Sequence, residues 1–385
     1  MKARILHVVY SLSPGGMENG IVNMANELDP GKIELAVLYL SKQGEMASRL
    51  PLRTREFILG KRPGFDLSLV PKIAHVLSSF RPDIVHTHNL GPLIYVSLSR
   101  PFTDLNFRLV HGEHASMTVK DMLPKKRFQR AILYSTCDLL HTVGMGMTQE
   151  FACSGLTTRK IYTLSNGVGT ERFSPPSSKA SLRRGYLGDV WPGGPVVLLV
   201  GRFGPYKGHT LLLDAFRDFG SESKDAMLVF VGGGGELESS IRALAHGHPF
   251  SDRIFFTGFK QDPLPYYQMA DLVVVPSENE GLSNCILESM SCGTPVITYD
   301  SCGAHELVGE NERGFLLKNN NPEMLSLIIM EVLRMPPRKL ESISIAAREF
   351  VCQHFSIQSM RRNYSKVYTN YCRAVDTQVF LTEGR

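Results

Sequence analysis

This chain of 385 residues has a single tryptophan and only seven cysteines. The cysteines (137, 153, 285, 292, 302, 352 and 372) form no C-x-x-C pair, and none has a histidine at zinc-finger spacing. That excludes a disulfide scaffold and a zinc module, and leaves buried free thiols in a reducing compartment as the expectation. No apolar run approaches 18 residues, so no membrane-spanning helix is expected. The N-terminal apolar run, Ile5 to Tyr10, is interrupted by His7 and is too short for a secretory signal. The protein is therefore expected in the cytoplasm. A G-x-G-x-x-G fingerprint is missing, which argues against a nicotinamide-dependent dehydrogenase. No D-x-D triplet occurs either, so a metal held by such a carboxylate pair is not expected. The net charge of +5 is too small for this length to argue for nucleic acid.

What is present is an ordinary globular composition, 43% hydrophobic and 21% charged. Short Val/Ile/Leu-rich runs alternate with amphipathic stretches. Strands are predicted at 5–9, 33–39, 84–87, 108–110, 139–143, 196–200, 227–231, 254–257, 272–275 and 296–299. Helices are predicted at 21–28, 67–80 and 210–219, among others. The runs do not alternate strictly, as expected for parallel strands covered on both faces. The fold class is therefore α/β, with doubly wound Rossmann-like sheets. The segment 174–195, rich in Pro, Ser and Gly, reads as a linker. This divides the chain into a first domain (1–173), the linker, a second domain (196–355) and a helical tail (356–385). An amphipathic segment at 357–375 would pack back on the first domain. Two such domains facing each other would hold a ligand in the cleft between them.

Several loops at strand ends carry chemistry. GRFGPYKG, residues 201–208, follows the strand at 196–200 and brings Arg202 and Lys207 to its carboxyl end. Two cations there suit a diphosphate; a solvated basic loop is the alternative. A glycine run, 232–235 with Gly233 inside it, follows the strand at 227–231. It would let a ligand approach the backbone closely. The segment PSENEGLSNCILESMSCGTPVI, residues 276–297, places Glu280 in a loop and Glu288 on the helix beyond it. Gly281 allows a tight turn and Ser283 is the expected N-cap of a helix from Asn284 to Met290. A carboxylate such as Glu288 could accept hydrogen bonds from ribose hydroxyls, or it could sit in a helix salt bridge. In the first half, Gly15 and Gly16 precede a helix whose first turn carries Glu18. HGEH, residues 111–114, offers His111 and His114 at a strand end, where either could bond a sugar hydroxyl or a phosphate. Zinc would need further ligands, and HTH at 86–88 is the other histidine cluster noted.

Taken together, these motifs resemble the retaining glycosyltransferases of family 4, which have the GT-B fold. The resemblance runs from PGGMENG through PDIVHTH, HGEH, LSNGVGTERF, GRFGPYKG and VGGGG to the E-x7-E of Glu280 and Glu288. A second likeness is to sugar transferases of bacterial exopolysaccharide and exosortase systems, carried by HVVYSLSPGGMENGIVN, HGEH, EGLSNCILE and FSIQSM. The resemblance implies a sugar moved from a nucleotide diphosphate to an acceptor hydroxyl with retention, without a metal or other cofactor. It implies that Gly16 faces the donor phosphate or the acceptor, and that Arg202 and Lys207 bind the diphosphate. Glu288 would bind the ribose, Glu280 would lie beside the donor sugar, and Gly281, Leu282 and Ser283 would touch sugar and phosphate through their backbone. Phe259 would cradle the base, and the active-site histidine would be His114, with His111 second. The expected donor is a UDP-sugar, although no residue named here separates uridine from guanosine. The family usually writes N-G-V-D where this chain has Asn166-Gly167-Val168-Gly169. A sugar-nucleotide epimerase of the same fold and a non-catalytic binding protein are the competing readings. The latter would have lost Glu280, Glu288 or Lys207, and all three are present.

The charge is polarised. Residues 1–172 hold 21 Lys+Arg and 14 Asp+Glu, a net of +7, leaving −2 for the rest. Part of the excess is Lys120, Lys125, Lys126, Arg127 and Arg130, beside Met122, Leu123 and Phe128. This is either a solvated basic helix or a peripheral dock on an anionic membrane leaflet, where a lipid-linked acceptor would lie; Gly15 and Glu18 would face the same acceptor side.

Overall fold

The computed structural model describes residues 2–278 and 280–373. Seven parallel strands make the first sheet: β1 (Ala3–Val9), β2 (Ile33–Tyr39), β3 (Arg55–Ile58), β4 (Ile84–His88), β5 (Arg108–Glu113), β6 (Leu139–Thr142) and β7 (Ile161–Thr163). Their order is β3-β2-β1-β4-β5-β6-β7. Six parallel strands make the second: β8 (Val196–Val200), β9 (Met227–Val231), β10 (Ile254–Phe256), β11 (Leu272–Val275), β12 (Val296–Tyr299) and β13 (Phe315–Leu317). Their order is β10-β9-β8-β11-β12-β13. In both sheets the winding reverses beside the first strand, which creates a topological switch point at β1/β4 and at β8/β11. Ligands in such sheets bind at the carboxyl ends of the strands flanking that point.

The apolar runs form strands because both faces are covered. β1 and β8 are almost wholly buried. In the first unit the helix Gly16–Glu27 lays Ile21, Val22, Met24 and Ala25 on the sheet. A buried side chain the size of Ile21, Val22 or Met24 contributes about 1.5–3 kcal/mol. Met360, Tyr364 and Tyr368, from the helix Ile357–Arg373, belong to the same core. The second unit has its own core, built around Phe203, Leu212, Phe216, Phe219 and Phe230.

The chain divides into two compact units: residues from Met1 to Asn166 with those from Ile357 onward, and Gly167–Ser356. The boundary differs from the one expected at 173. The segment 174–195 is also no free linker. It contains the helix Lys179–Tyr186, capped by the Ser178 side chain. Lys179 Nζ donates to the Ala270 carbonyl (2.6 Å) and Arg183 Nε to that of Met269 (2.8 Å), which fixes the segment to the second unit. Three strands, β3, β7 and β13, carried no usable sequence signal. β3 is a mostly exposed edge, and the other two are only three residues long. β5 runs on to Glu113, past its expected end at 110, because His111, Gly112 and Glu113 pair in register with Leu140, His141 and Thr142 of β6.

Candidate functional site

In the second unit, the loop after β8 carries Arg202 and Lys207, and the loop after β11 carries Glu280. The two loops meet. Gly208 has φ +73°, and a Cβ there would strike Pro276, so only glycine fits. Lys207 Nζ forms an ion pair with Glu280 Oε1; their side chains are 40% and 17% exposed. Burial opposes ionisation of Lys207, but the Glu280 carboxylate overcomes it, and the ammonium's pKa is raised. Arg202 is exposed and has no carboxylate partner among the described residues. One cation is therefore held by the protein and the other is available to an anion.

The turn after Glu280 is buried, and Gly281 rests against the helix that begins at Cys302. A Cβ on Gly303 would overlap the Gly281 carbonyl oxygen. Ser283 holds the N-cap position of the helix Asn284–Ser291, but its side chain makes no capping hydrogen bond. Glu288 is half-buried on that helix. Burial, followed by the charges of Cys285 and Glu288, pushes the Tyr267 hydroxyl well above its ordinary pKa. The Cys285 thiol, bonded to the Val200 carbonyl (3.3 Å), is pushed up to about 12 by burial and by Glu288. It is inert as a nucleophile. The glycine run lies against the Phe259 loop. Gly232 N–H donates to the Gly258 carbonyl (3.1 Å), and a Cβ on Gly233 would come within 3.1 Å of the Phe259 nitrogen. Phe259 is 45% exposed. A cavity of about 200 Å³ adjoins these loops, lined in part by Tyr206, His209, Pro276 and Glu278.

In the first unit, Gly15 is the N-cap of the helix Gly16–Glu27, and the Glu18 carboxylate folds back over it. The two candidate histidines lie on opposite faces. Side chains alternate along a strand, so Thr87, His111 and Glu113 share one face of the sheet. His7, His86, His88, Gly112 and His141 share the other, with His114 just past the end of β5. His111 is fully buried, bonded to Thr87 Oγ1 (2.9 Å) and Glu113 Oε1 (3.3 Å). Glu113 also accepts from Arg130 (2.7 Å) and Tyr134 (2.6 Å). Burial works against that carboxylate, but His111 and Arg130 outweigh it and hold it at about 2. His114 donates or accepts at Nε2 with His88 Nδ1 (2.9 Å), and its Nδ1 is buried with no partner among the described residues.

The opposite face holds a cluster of which the sequence showed only the H-T-H at 86–88: His7, His86, His88 and His141, closed by Tyr368. Ring nitrogens of His7, His86 and His88 lie within 4.8 Å of one another, close enough for a metal ion. Both nitrogens of each, however, already have an imidazole or tyrosine partner (2.8–3.2 Å). Gly112 makes room for the cluster, since a Cβ there would come within 2.5 Å of His141 Nε2 and 3.2 Å of His114 Nε2. The H-x-H spacing at 86–88 was the available signal, because within a strand it puts both rings on one face.

The basic patch is smaller than expected. Lys125 and Lys126 are exposed and Arg127 partly so, on the helix Pro124–Ser135. Arg130 turns inward to Glu113 and Asp121 and leaves the patch. Leu123, Phe128 and Ile132 are 53%, 70% and 51% exposed beside the lysines. Among the described residues no helix is long and apolar enough to cross a membrane. Of the cysteines, Cys153 is exposed rather than buried.

Two family models match the chain: Glycosyltransferase Family 4 over residues 14–172 and Glycosyl transferases group 1 over residues 191–350. A GDP-mannose-dependent alpha-(1-6)-phosphatidylinositol monomannoside mannosyltransferase of Mycolicibacterium smegmatis is 28% identical over 277 residues, covering 69% of each chain. Its counterpart in Mycobacterium tuberculosis is 31% identical over 255 residues, 63% of this chain and 65% of that one. The chain thus spans about two thirds of the length of these relatives. The crystal structure of Anabaena HepE with UDP and glucose superposes with a TM-score of 0.81 at 20% identity, covering 95% of this chain and 99% of that one. By both family matches and by its two Rossmann-like units, this chain belongs to the family 4 glycosyltransferases of GT-B fold.

Proposed function

We propose that this protein is a retaining, metal-independent glycosyltransferase that moves a sugar from a nucleotide diphosphate sugar to a glycan or lipid-linked acceptor hydroxyl. We place it in bacterial exopolysaccharide or other cell-surface glycan synthesis, at the inner face of the membrane. The observation that carries this reading is the Lys207–Glu280 pair at the β8/β11 switch point, with Arg202 beside it paired by no carboxylate among the described residues. Breaking the anomeric bond builds negative charge on the leaving diphosphate. Lys207 and Arg202 are preorganised cations for that charge. The leaving phosphate oxygen can then take the acceptor's proton on the same face, so no strong side-chain base is needed. Glu280 fixes the Lys207 ammonium and positions the donor sugar. Glu288 meets the ribose, Phe259 the base, and the backbone of Gly233, Gly281, Leu282 and Ser283 the phosphates and sugar. Gly16 faces the donor phosphate, and His114 meets a substrate hydroxyl.

A UDP-sugar donor is supported by the UDP-bound neighbour, and a GDP-sugar by the mannosyltransferase relatives. The deciding experiment is a panel of UDP- and GDP-sugars, assayed by calorimetry and by nucleotide release in the presence of a chelator. Release from one donor, undiminished by the chelator, supports the reading. Conversion of a donor to an isomeric nucleotide sugar without acceptor would replace it with an epimerase, and no binding to any donor would replace it with a silent scaffold. The exposed Leu123, Phe128 and Ile132 beside Lys125, Lys126 and Arg127 support peripheral docking on an anionic leaflet.

A further inference from the structure

Six side chains of the first unit form an unbroken hydrogen-bond chain, and its direction can be worked out from one end. That end is the Thr142 carbonyl, which can only accept. His141 Nδ1 (3.3 Å away) must therefore donate to it. A neutral imidazole carries one proton, so His141 Nε2 is an acceptor, and His86 Nε2 donates to it (2.8 Å). His86 Nδ1 then accepts from the Tyr368 hydroxyl (2.9 Å). The tyrosine oxygen accepts from His7 Nε2 (3.2 Å). His7 Nδ1 accepts from His88 Nε2 (2.8 Å), and His88 Nδ1 from His114 Nε2 (2.9 Å). Tyr368 also lies 3.5 Å from Met24 Sδ, but sulfur is the weaker acceptor and the closer imidazole takes the proton.

The assignment leaves no conflict at any link and one lone pair over, on His114 Nδ1. That atom is buried and has no partner among the described residues. Any other neutral assignment would set two lone pairs, or two protons, face to face. An imidazolium would resolve such a clash, but burial disfavours charge here. It lowers His7 and His141 to about 3 and His114 to about 4, and it lowers His86 and His88 as well. The link through Tyr368 comes from the far end of the chain, 282 residues from His86.

We propose that His141, His86, Tyr368, His7 and His88 are positioning residues that lock His114 as the Nε2–H tautomer, so that its Nδ1 accepts a hydrogen bond from a substrate hydroxyl. The part about substrate rests on the function proposed above; the tautomer chain does not. The role is exacting because a hydroxyl that must donate finds an acceptor only in this tautomer.

The test is a long-range proton–nitrogen correlation spectrum of the full chain labelled with 15N-histidine, assigned with single-histidine variants. At neutral pH the five rings should appear as one Nδ1–H tautomer (His141) and four Nε2–H tautomers (His86, His7, His88 and His114). Tyr368→Phe cuts the chain in the middle. It should turn the His7, His88 and His114 signals into tautomer mixtures and lower kcat on the order of tenfold, with donor KM within about twofold. Mixed tautomers or an imidazolium among these rings in the wild-type spectrum would overturn the chain. So would stoichiometric zinc binding that shifts His7, His86 and His88 together, since their nitrogens would then be metal ligands. An intact tautomer pattern in a protein that transfers no sugar would keep the chain and remove only the substrate hydroxyl.

Discussion

Lys207 and Glu280 lie 73 residues apart in sequence, yet their side chains pair where the loops after β8 and β11 meet. The pair is partly exposed, so its value to stability is small. In the proposed mechanism its value is that the ammonium is already in place when charge develops on the leaving diphosphate.

Lys207→Ala should therefore lower kcat on the order of 10²- to 10³-fold while the melting temperature barely moves. Glu280→Gln should keep the shape, loosen the ammonium and reduce transfer to a lesser degree. Steady-state kinetics beside a thermal melt check both. Full transfer by Lys207→Ala would remove the pair from the mechanism.

Gly112→Ala should destabilise the first unit by about 1–3 kcal/mol, the usual range for overpacking. The added methyl would press on His141 and His114. Trp191, the single tryptophan, lies in the second unit and donates to the Gly194 carbonyl. Its fluorescence should melt as in the wild type, while the circular dichroism transition shifts down.

Acid should attack the first unit first. His7, His86, His88, His114 and His141 titrate near 6.5 when unfolded, and burial lowers all five in the fold, His7 and His141 to about 3 and His114 to about 4. A lowered histidine contributes stability that is whole above the unfolded value. As pH falls below 6.5 the unfolded chain binds protons and the fold does not. Each ring then costs about 1.4 kcal/mol per pH unit until its folded value is reached. In the second unit His209, at about 4, and His248 are lowered. Circular dichroism during an acid titration should thus lose its first transition before Trp191 fluorescence responds, and His141→Gln should flatten that first loss.

Arg130→Met should cost about 3–5 kcal/mol, because it strands the Glu113 carboxylate in a buried site. Denaturant unfolding measures it. The double variant Arg130→Met with Glu113→Gln should recover much of the loss.

Phe128→Ser with Lys125→Glu and Lys126→Glu should abolish binding to anionic vesicles and leave transfer to a soluble acceptor intact. Co-sedimentation with vesicles of graded anionic content reads this out. Binding that ignores anionic content would argue against the dock.

Much of the architecture was legible because buried parallel strands write themselves as Val/Ile/Leu runs; β2, β8, β9, β11 and β12 fall at their expected bounds. Short or exposed strands such as β3 and β13 have too few buried positions to leave a pattern. The loop residues of the second unit could be named because each follows a strand end directly, and proximity in sequence stands in for proximity in space. The histidine cluster could not be read that way. Its members come from β1, β4, β6, the end of β5 and the last helix, and only the register of four strands brings them together. The boundary at 166 was hidden too, since Pro and Ser in 174–195 look like a linker while Lys179 and Arg183 tie the segment down.

The helix Ile357–Arg373 completes the core of a unit whose strands end at β7. Synthesis runs in the opposite order to completion. The whole of the second unit leaves the ribosome while the first still lacks Met360, Tyr364 and Tyr368. Domains generally fold as they emerge, N-terminal first; here the N-terminal half cannot cover its histidine face until Tyr364 and Tyr368 have been made. Translation of this protein is thus a race in which the later unit can finish first, and the earlier one depends on the last helix to close.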